Sequence, residues 1–200
     1  MVRSRAVKEA VLLCAVALGL AGCGGQRQDA DEPEGEFTLQ IVDASFPARQ
    51  SIAQESTLRL KVRNTDDRRL PNLAVTVETD AGGDGGAPSA FGQAETDTRL
   101  ADPTRPIWIV DRQPEGGETA YTNTWALGPM SPGETKQIEW RVTAVRAGTY
   151  TIRYRVSPGL NGKAVPAQGQ KTTGSFRVTI SDKPVPAHVN AEGEVVRGGR

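Results

Sequence analysis

From Ser56 to Asn64 the chain reads STLRLKVRN, with Leu58, Leu60 and Val62 on one parity and Arg59, Lys61 and Arg63 on the other. Only a β-strand, whose successive side chains point to opposite faces, sorts such residues into one apolar and one wet surface. The pattern returns three times. Ile138, Trp140 and Val142 alternate with Gln137, Glu139 and Arg141 within Thr135 to Val145. Tyr150, Ile152, Tyr154 and Val156 alternate with Thr151, Arg153 and Arg155, and Phe176, Val178 and Ile180 close the series. Shorter apolar runs lie at Phe37 to Phe46, at Leu73, Val75 and Val77, at Ile107 to Val110, and at Ala120 to Leu127. Turn residues separate them: Asn64-Thr65-Asp66-Asp67, Gly128 to Gly133, Ala147-Gly148 and Asn161-Gly162. No 3.6-residue period occurs after residue 22. Seven or eight short strands joined by turns predict an all-β chain, a single antiparallel sandwich over residues 37–182.

The N-terminus obeys a different logic. Arg3, Arg5 and Lys8 precede an apolar run from Ala10 to Leu20, followed by small residues, as in a secretory signal. The run is shorter than the ~20 residues a spanning helix requires. The four residues that close the segment, Leu20-Ala21-Gly22-Cys23, resemble the lipobox of bacterial lipoproteins. The resemblance implies cleavage between Gly22 and Cys23 and a diacylglycerol on the Cys23 thiol. The expected partner is then the cytoplasmic membrane, and the expected location is extracytoplasmic, in the cell envelope. Two acyl chains suffice for stable anchoring, so loss of the thiol releases such a protein. Residues 1–22 are thus read as a signal peptide and 23–36 (CGGQRQDADEPEGE) as an acidic flexible tether. The remaining cysteine, Cys14, leaves with the signal, so no disulfide pair is available to the mature chain.

Charge excludes little but does exclude something. The chain balances 24 Lys+Arg against 24 Asp+Glu, and loss of the signal leaves a slight acidic excess. That balance gives no reason to expect nucleic acid.

The strand-rich segment also carries a resemblance. Ala147-Gly148-Thr149-Tyr150-Thr151-Ile152 is similar to the start of strand F in immunoglobulin-like domains, where a corner tyrosine stands two residues before a core position. That core position is Ile152 here, and no disulfide partner exists, which sets the antibody subclass aside. Asn64-Thr65, Leu70 to Val75, Leu127 to Glu134 and Gly148 to Tyr154 resemble stretches of bacterial immunoglobulin-like modules of the CARDB and NEW3 kind. The resemblance implies an adhesion, spacing or binding module and supplies no catalytic residues; fold alone does not license function.

Two long connections interrupt the rhythm, residues 80–106 and 158–173, and long loops are functional or disordered. Asp80, Asp84, Glu95, Asp97 and Asp102 are the carboxylates a calcium ion would require of the first, in no recognisable calcium-loop spacing. No cofactor or metal is expected. A hydrolytic triad needs a histidine base, and His188, the one histidine, lies in a proline-flanked segment read with the rest of 183–200 as a weakly ordered tail. If the last two strong strands are neighbours, Arg153, Arg155 and Arg177 share one outward face, partly balanced by Glu78 if the third strand lies alongside. That face, or the loop carboxylates Asp80, Asp84, Asp97 and Asp102, is where an envelope protein or polymer would make contact. The sequence therefore reads as a lipid-anchored, non-catalytic binding or scaffolding module. An enzyme or accessory subunit using loop carboxylates, and a passive spacer, are the competing readings.

Overall fold

The computed structural model describes residues 32–79, 89–92, 106–193 and 195–197. Among them every regular element is a strand, and strands are numbered here in chain order. One sheet runs β2 (Leu39–Ser45), β4 (Glu55–Asn64), β10 (Thr135–Ala144), β7 (Trp108–Arg112), β6 (Phe91–Gly92). The other runs β3 (Arg49–Ser51), β13 (Thr173–Ser181), β11 (Gly148–Ser157), β5 (Ala74–Thr79), β9 (Thr124–Ala126), β8 (Glu118–Tyr121). Two small pairs complete it: β1 (Gly35–Phe37) beside β12 (Ala164–Pro166), and β14 (Ala187–Val189) beside β15 (Val195–Arg197).

Strands form in every expected apolar run and the alternation sorts as it should, but Ala120 to Leu127, read as one strand, is divided by a turn at residues 122–123 into the antiparallel pair β8–β9. In β4 the parity of Leu58, Leu60 and Val62 is fully buried and that of Arg59, Lys61 and Arg63 is exposed. The long strands pair antiparallel, β4 with β10 from Glu55↔Thr143 to Arg63↔Thr135. Three short pairs at the margins, β1 with β12, β3 with β13 and β6 with β7, are parallel, so the sandwich is not wholly antiparallel. These extra strands have two or three residues, too few for alternation to register.

The two sheets meet through aromatic rings. Trp125 of β9 packs edge-on against Trp140 of β10 with centroids 5.4 Å apart, and Trp108 of β7 meets Tyr150 of β11 at 6.2 Å. Such edge-to-face pairs contribute about 0.5–1.5 kcal/mol each beyond the area they bury. Phe91, in the segment read as structureless loop, is buried between Trp108 and Trp125. The Trp108 indole N–H donates to Gln50 Oε1 at 2.7 Å and Gln50 Nε2 donates to the Pro47 carbonyl, whereas the buried indole N–H groups of Trp125 and Trp140 have no hydrogen-bond partner among the described residues.

The tyrosine corner forms. Tyr150 Oη donates to the Ala147 carbonyl at 2.7 Å. Gly148 stands at φ +143°, and a Cβ there would lie 2.7 Å from that hydroxyl, so only glycine lets the ring fold over its own turn. The Leu127–Glu134 stretch proves equally structural. Ser131 N–H donates to Glu134 Oε2, Glu134 N–H returns to the Ser131 carbonyl, and Gly133 between them has φ +75°.

Two boundaries differ from the sequence reading. The fold begins before residue 37: Glu32 is 8% exposed and Gly35–Phe37 is a strand, so residues 32–36, read as part of a tether, belong to the sandwich domain. A hydrophobic pattern cannot reveal this, because the residue that fixes the segment is a buried carboxylate. The tail read as weakly ordered carries the β14–β15 hairpin, with His188 exposed opposite Val196. The signal segment, Gly22, Cys23 and the loop carboxylates Asp80, Asp84, Glu95, Asp97 and Asp102 lie outside the described residues.

Candidate cationic binding face

The outward face of the second sheet is built by register. Pairing of β11 with β13 sets Arg153 opposite Ser175, Arg155 opposite Thr173 and Thr151 opposite Arg177. Pairing of β11 with β5 sets Arg153 opposite Glu78 and Arg155 opposite Thr76. Since inward neighbours Ile152, Tyr154, Val156 and Val178 are buried, all three arginines point away from the core on one surface. Glu78 does lie alongside. The strands thus bring together the three arginines that the sequence pattern singled out.

They also add one it did not. β3 runs beside β13 with Arg49 opposite Thr179, and Gln50 turned inward, so Arg49 extends the same face. No periodic signal marks a three-residue strand that follows Pro47, so Arg49 was invisible to pattern reading. Between the arginines lie hydroxyls. Thr76 and Thr124 exchange a hydrogen bond at 2.9 Å, and Thr149 and Thr179 one at 3.2 Å. A shallow groove of 430 Å³ follows this surface, lined by Thr76, Glu78, Arg153, Arg155, Thr173 and Ser175. Guanidinium roots along β11 repeat every ~7 Å and rows are ~4.8 Å apart.

The other sheet handles its outward charges differently. Arg59 pairs with Glu139 at 2.8 Å and Arg141 with Glu55 at 2.7 Å, both across β4 and β10. Thr143 Oγ1 donates to Asp111 at 2.7 Å. The Arg59 guanidinium and the Gln137 amide hold the Glu139 carboxyl below the usual carboxylate range. On the second sheet Arg49, Arg155 and Arg177 have no carboxylate within ion-pair distance among the described residues. Among the described residues the register sets Arg49, Arg153, Arg155 and Arg177 on one face with Glu78, and Glu118 of β8 shares that outward parity through Ala126 and Ala74. Planar, bidentate guanidinium donors suit carboxylate and phosphate oxygens, and interspersed hydroxyls suit a polyhydroxylated ligand.

A second groove, of 640 Å³, runs along the open edge of β2 from Leu39 to Ala44, with Tyr154 and Gly169 to Lys171 opposite. Burial, then the neighbouring Asp43 charge, pushes the Tyr154 phenol up. Leu39 N–H at this edge is capped by Gln170 Oε1 at 3.2 Å. Among the described residues no three His, Cys, Asp or Glu side chains gather as a metal site would require.

These features define a two-sheet β-sandwich whose second sheet carries a row of outward arginines. No family model and no curated protein sequence matches the chain. Among solved structures it is similar to the CARDB domain of the PF1109 protein from Pyrococcus furiosus, described in complex with di-metal ions. Identity there is 15% and the TM-score 0.45, over 74% of this chain and 98% of that one. It is also similar to native alpha-2-macroglobulin from E. coli, at 16% identity and a TM-score of 0.41, over 74% of this chain and 7% of that one. At these scores neither neighbour carries an argument about what this chain binds.

Proposed function

We propose that this chain is a membrane-tethered, non-catalytic binding module of the cell envelope, and that its outward arginine face receives an anionic envelope polymer. One observation carries the reading: Arg155 and Arg177 stand outward on a rigid sheet with no ion-pair partner among the described residues, whereas Arg59 and Arg141 of the opposite sheet are paired strand to strand. The hydroxyl-bearing groove beside Arg153 and Arg155 supports a carbohydrate character for the ligand. The lipid on Cys23 rests on the Leu20-Ala21-Gly22-Cys23 resemblance in the sequence. A sandwich outside the cytoplasm has no call for a disulfide if its core is packed by interlocked aromatics, as this one is.

Binding to polygalacturonate tests the reading, with neutral dextran and phosphatidylglycerol vesicles in parallel. The wild type is expected to bind the polyuronate, in a salt-dependent manner because exposed charges are screened within ~10 Å at 0.1 M salt. Arg153→Gln, Arg155→Gln and Arg177→Gln together are expected to weaken it at least tenfold. Equal binding by that variant, or equal affinity for dextran, sinks the proposal. Preference for the vesicles over the polymer replaces it with a membrane-facing role.

A further inference from the structure

The most specific polar constellation lies away from the arginine face, around Glu32. Both carboxylate oxygens are doubly engaged by main-chain donors of one loop. Oε2 accepts from Leu160 N–H at 2.6 Å and Asn161 N–H at 2.8 Å; Oε1 accepts from Lys163 N–H at 3.1 Å and Ala164 N–H at 2.9 Å. Gly159 closes the floor, since a Cβ there would sit 2.4 Å from Oε1 and 2.5 Å from the carboxyl carbon. The six residues from Gly159 to Ala164 are thus shaped around a planar anion, with Gly162 at φ +76° turning the donors inward. Backbone concavities of this kind are anion sites, and hydrogen bonds to a charged acceptor are about twice as strong as neutral ones.

We infer that the Gly159–Ala164 loop is a carboxylate receptor, that Glu32 is its ligand in cis, and that a free carboxylate enters once the Glu32 side chain is gone. The donors are all backbone, so recognition rests on the shape of the loop rather than on any cationic side chain. The contact spans 128 residues of sequence for Leu160, and beside it β1 lies along β12 with Gly35 N–H donating to the Lys163 carbonyl at 3.1 Å. Occupancy by Glu32 therefore latches the N-terminal segment to the same loop, and withdrawal of that segment uncovers the receptor for a carboxylate from another peptide. This goes beyond the polymer-binding reading and stands independently of it.

The test uses the full chain carrying Glu32→Ala, ¹⁵N-labelled, titrated with sodium acetate or with sodium chloride at matched ionic strength. Acetate is expected to shift the amides of Leu160, Asn161, Lys163 and Ala164 saturably and to slow their hydrogen exchange at least tenfold; the wild type is expected to show neither response. No response of those amides to acetate, or an equal response to chloride, overturns the inference. Should Glu32→Ala fail to fold, Glu32→Gln decides: its neutral acceptor is expected to leave the four amides exchanging at least tenfold faster than in the wild type. Wild-type protection in Glu32→Gln refutes recognition of a carboxylate.

Discussion

Asn64 offers the sharpest test of how the sandwich is held at one end. It is the last residue of β4 and fully buried. Its Nδ2 lies within hydrogen-bond distance of three carbonyls, those of Arg68 at 2.9 Å, Met130 at 3.1 Å and Ser131 at 3.0 Å, while Oδ1 accepts Asp66 N–H at 2.9 Å. One amide thus ties the β4 turn to the crossing that ends at Glu134. In Asn64→Ala the Met130 and Ser131 carbonyls keep a partner each, Leu70 N–H and Glu134 N–H. The Arg68 carbonyl and Asp66 N–H lose theirs. The two amide protons and Oδ1 make at most three bonds, which at ~0.5–1.5 kcal/mol net each come to about 1.5–4.5 kcal/mol, or roughly 10 °C in Tm for a chain of this length.

Asn64→Asp discriminates the cause. It preserves shape but turns a carboxylate oxygen toward three carbonyl oxygens, so at neutral pH it is expected to be less stable than Asn64→Ala. Protonation converts that oxygen to a donor, so its deficit is expected to shrink as pH falls. Urea unfolding of the three proteins at pH 7 and pH 4.5 supplies the comparison. If Asn64→Ala lies within ~1 kcal/mol of wild type, or Asn64→Asp matches or exceeds it at neutral pH, the amide is not the tie argued here.

At Gly174 a Cβ would sit 2.2 Å from Tyr154 Oη and 2.4 Å from Cζ, so Gly174→Ala is expected to cost ~1–3 kcal/mol by overpacking; an unchanged Tm would show that the buried Tyr154 ring moves freely. The Arg68 side chain, supported by the Thr38 and Arg68 amides and opposed by partial desolvation, holds the Asp66 carboxyl well below the usual carboxylate range. Because the folded state then binds fewer protons than the unfolded one, Asp66's contribution is complete above the ordinary carboxylate pKa of ~3.9 and declines as pH falls below it. Asp66→Asn is expected to flatten that acid limb of stability in urea titrations from pH 6 to 2, and a limb of unchanged slope refutes the assignment.

The long strands were legible because each buries one face, and period-two alternation is the direct imprint of that burial: Leu58, Leu60 and Val62 could be assigned inward from spacing alone. The arginine face followed from the same arithmetic, since Arg153, Arg155 and Arg177 share a parity that the register of β11 and β13 preserves. What escaped was held by other forces. Glu32 is fixed by four main-chain donors contributed by the loop at Leu160 to Ala164, and main-chain donors leave no trace in side-chain patterning. Phe91 sits in a two-residue strand, where an isolated aromatic amid turn residues looks like loop. Arg49 needs the parallel contact of β3 with β13, a pairing settled by three dimensions and not by local sequence.

The unequal treatment of charge on the two outer faces is the strongest reason to look to the second sheet for function. An exposed ion pair contributes only ~0.2–1 kcal/mol, so stability alone exerts little pressure to pair Arg59 with Glu139 or Arg141 with Glu55. The pairs do quench two guanidiniums of the first sheet, while Lys61 and Arg63 on the same face of β4 stand outside them. On the second sheet Thr76 and Thr173 flank Arg155 and Thr151 stands opposite Arg177, at positions where a carboxylate would neutralise each, while Arg153 stands between Ser175 and Glu78. A hydroxyl neither quenches a guanidinium nor repels an anion, so among the described residues Arg155 and Arg177 keep their donors available. A chain with balanced charge overall thus sets Arg155, Arg177 and Arg49 along one hydroxylated surface, the arrangement expected of a face that meets a polyanion.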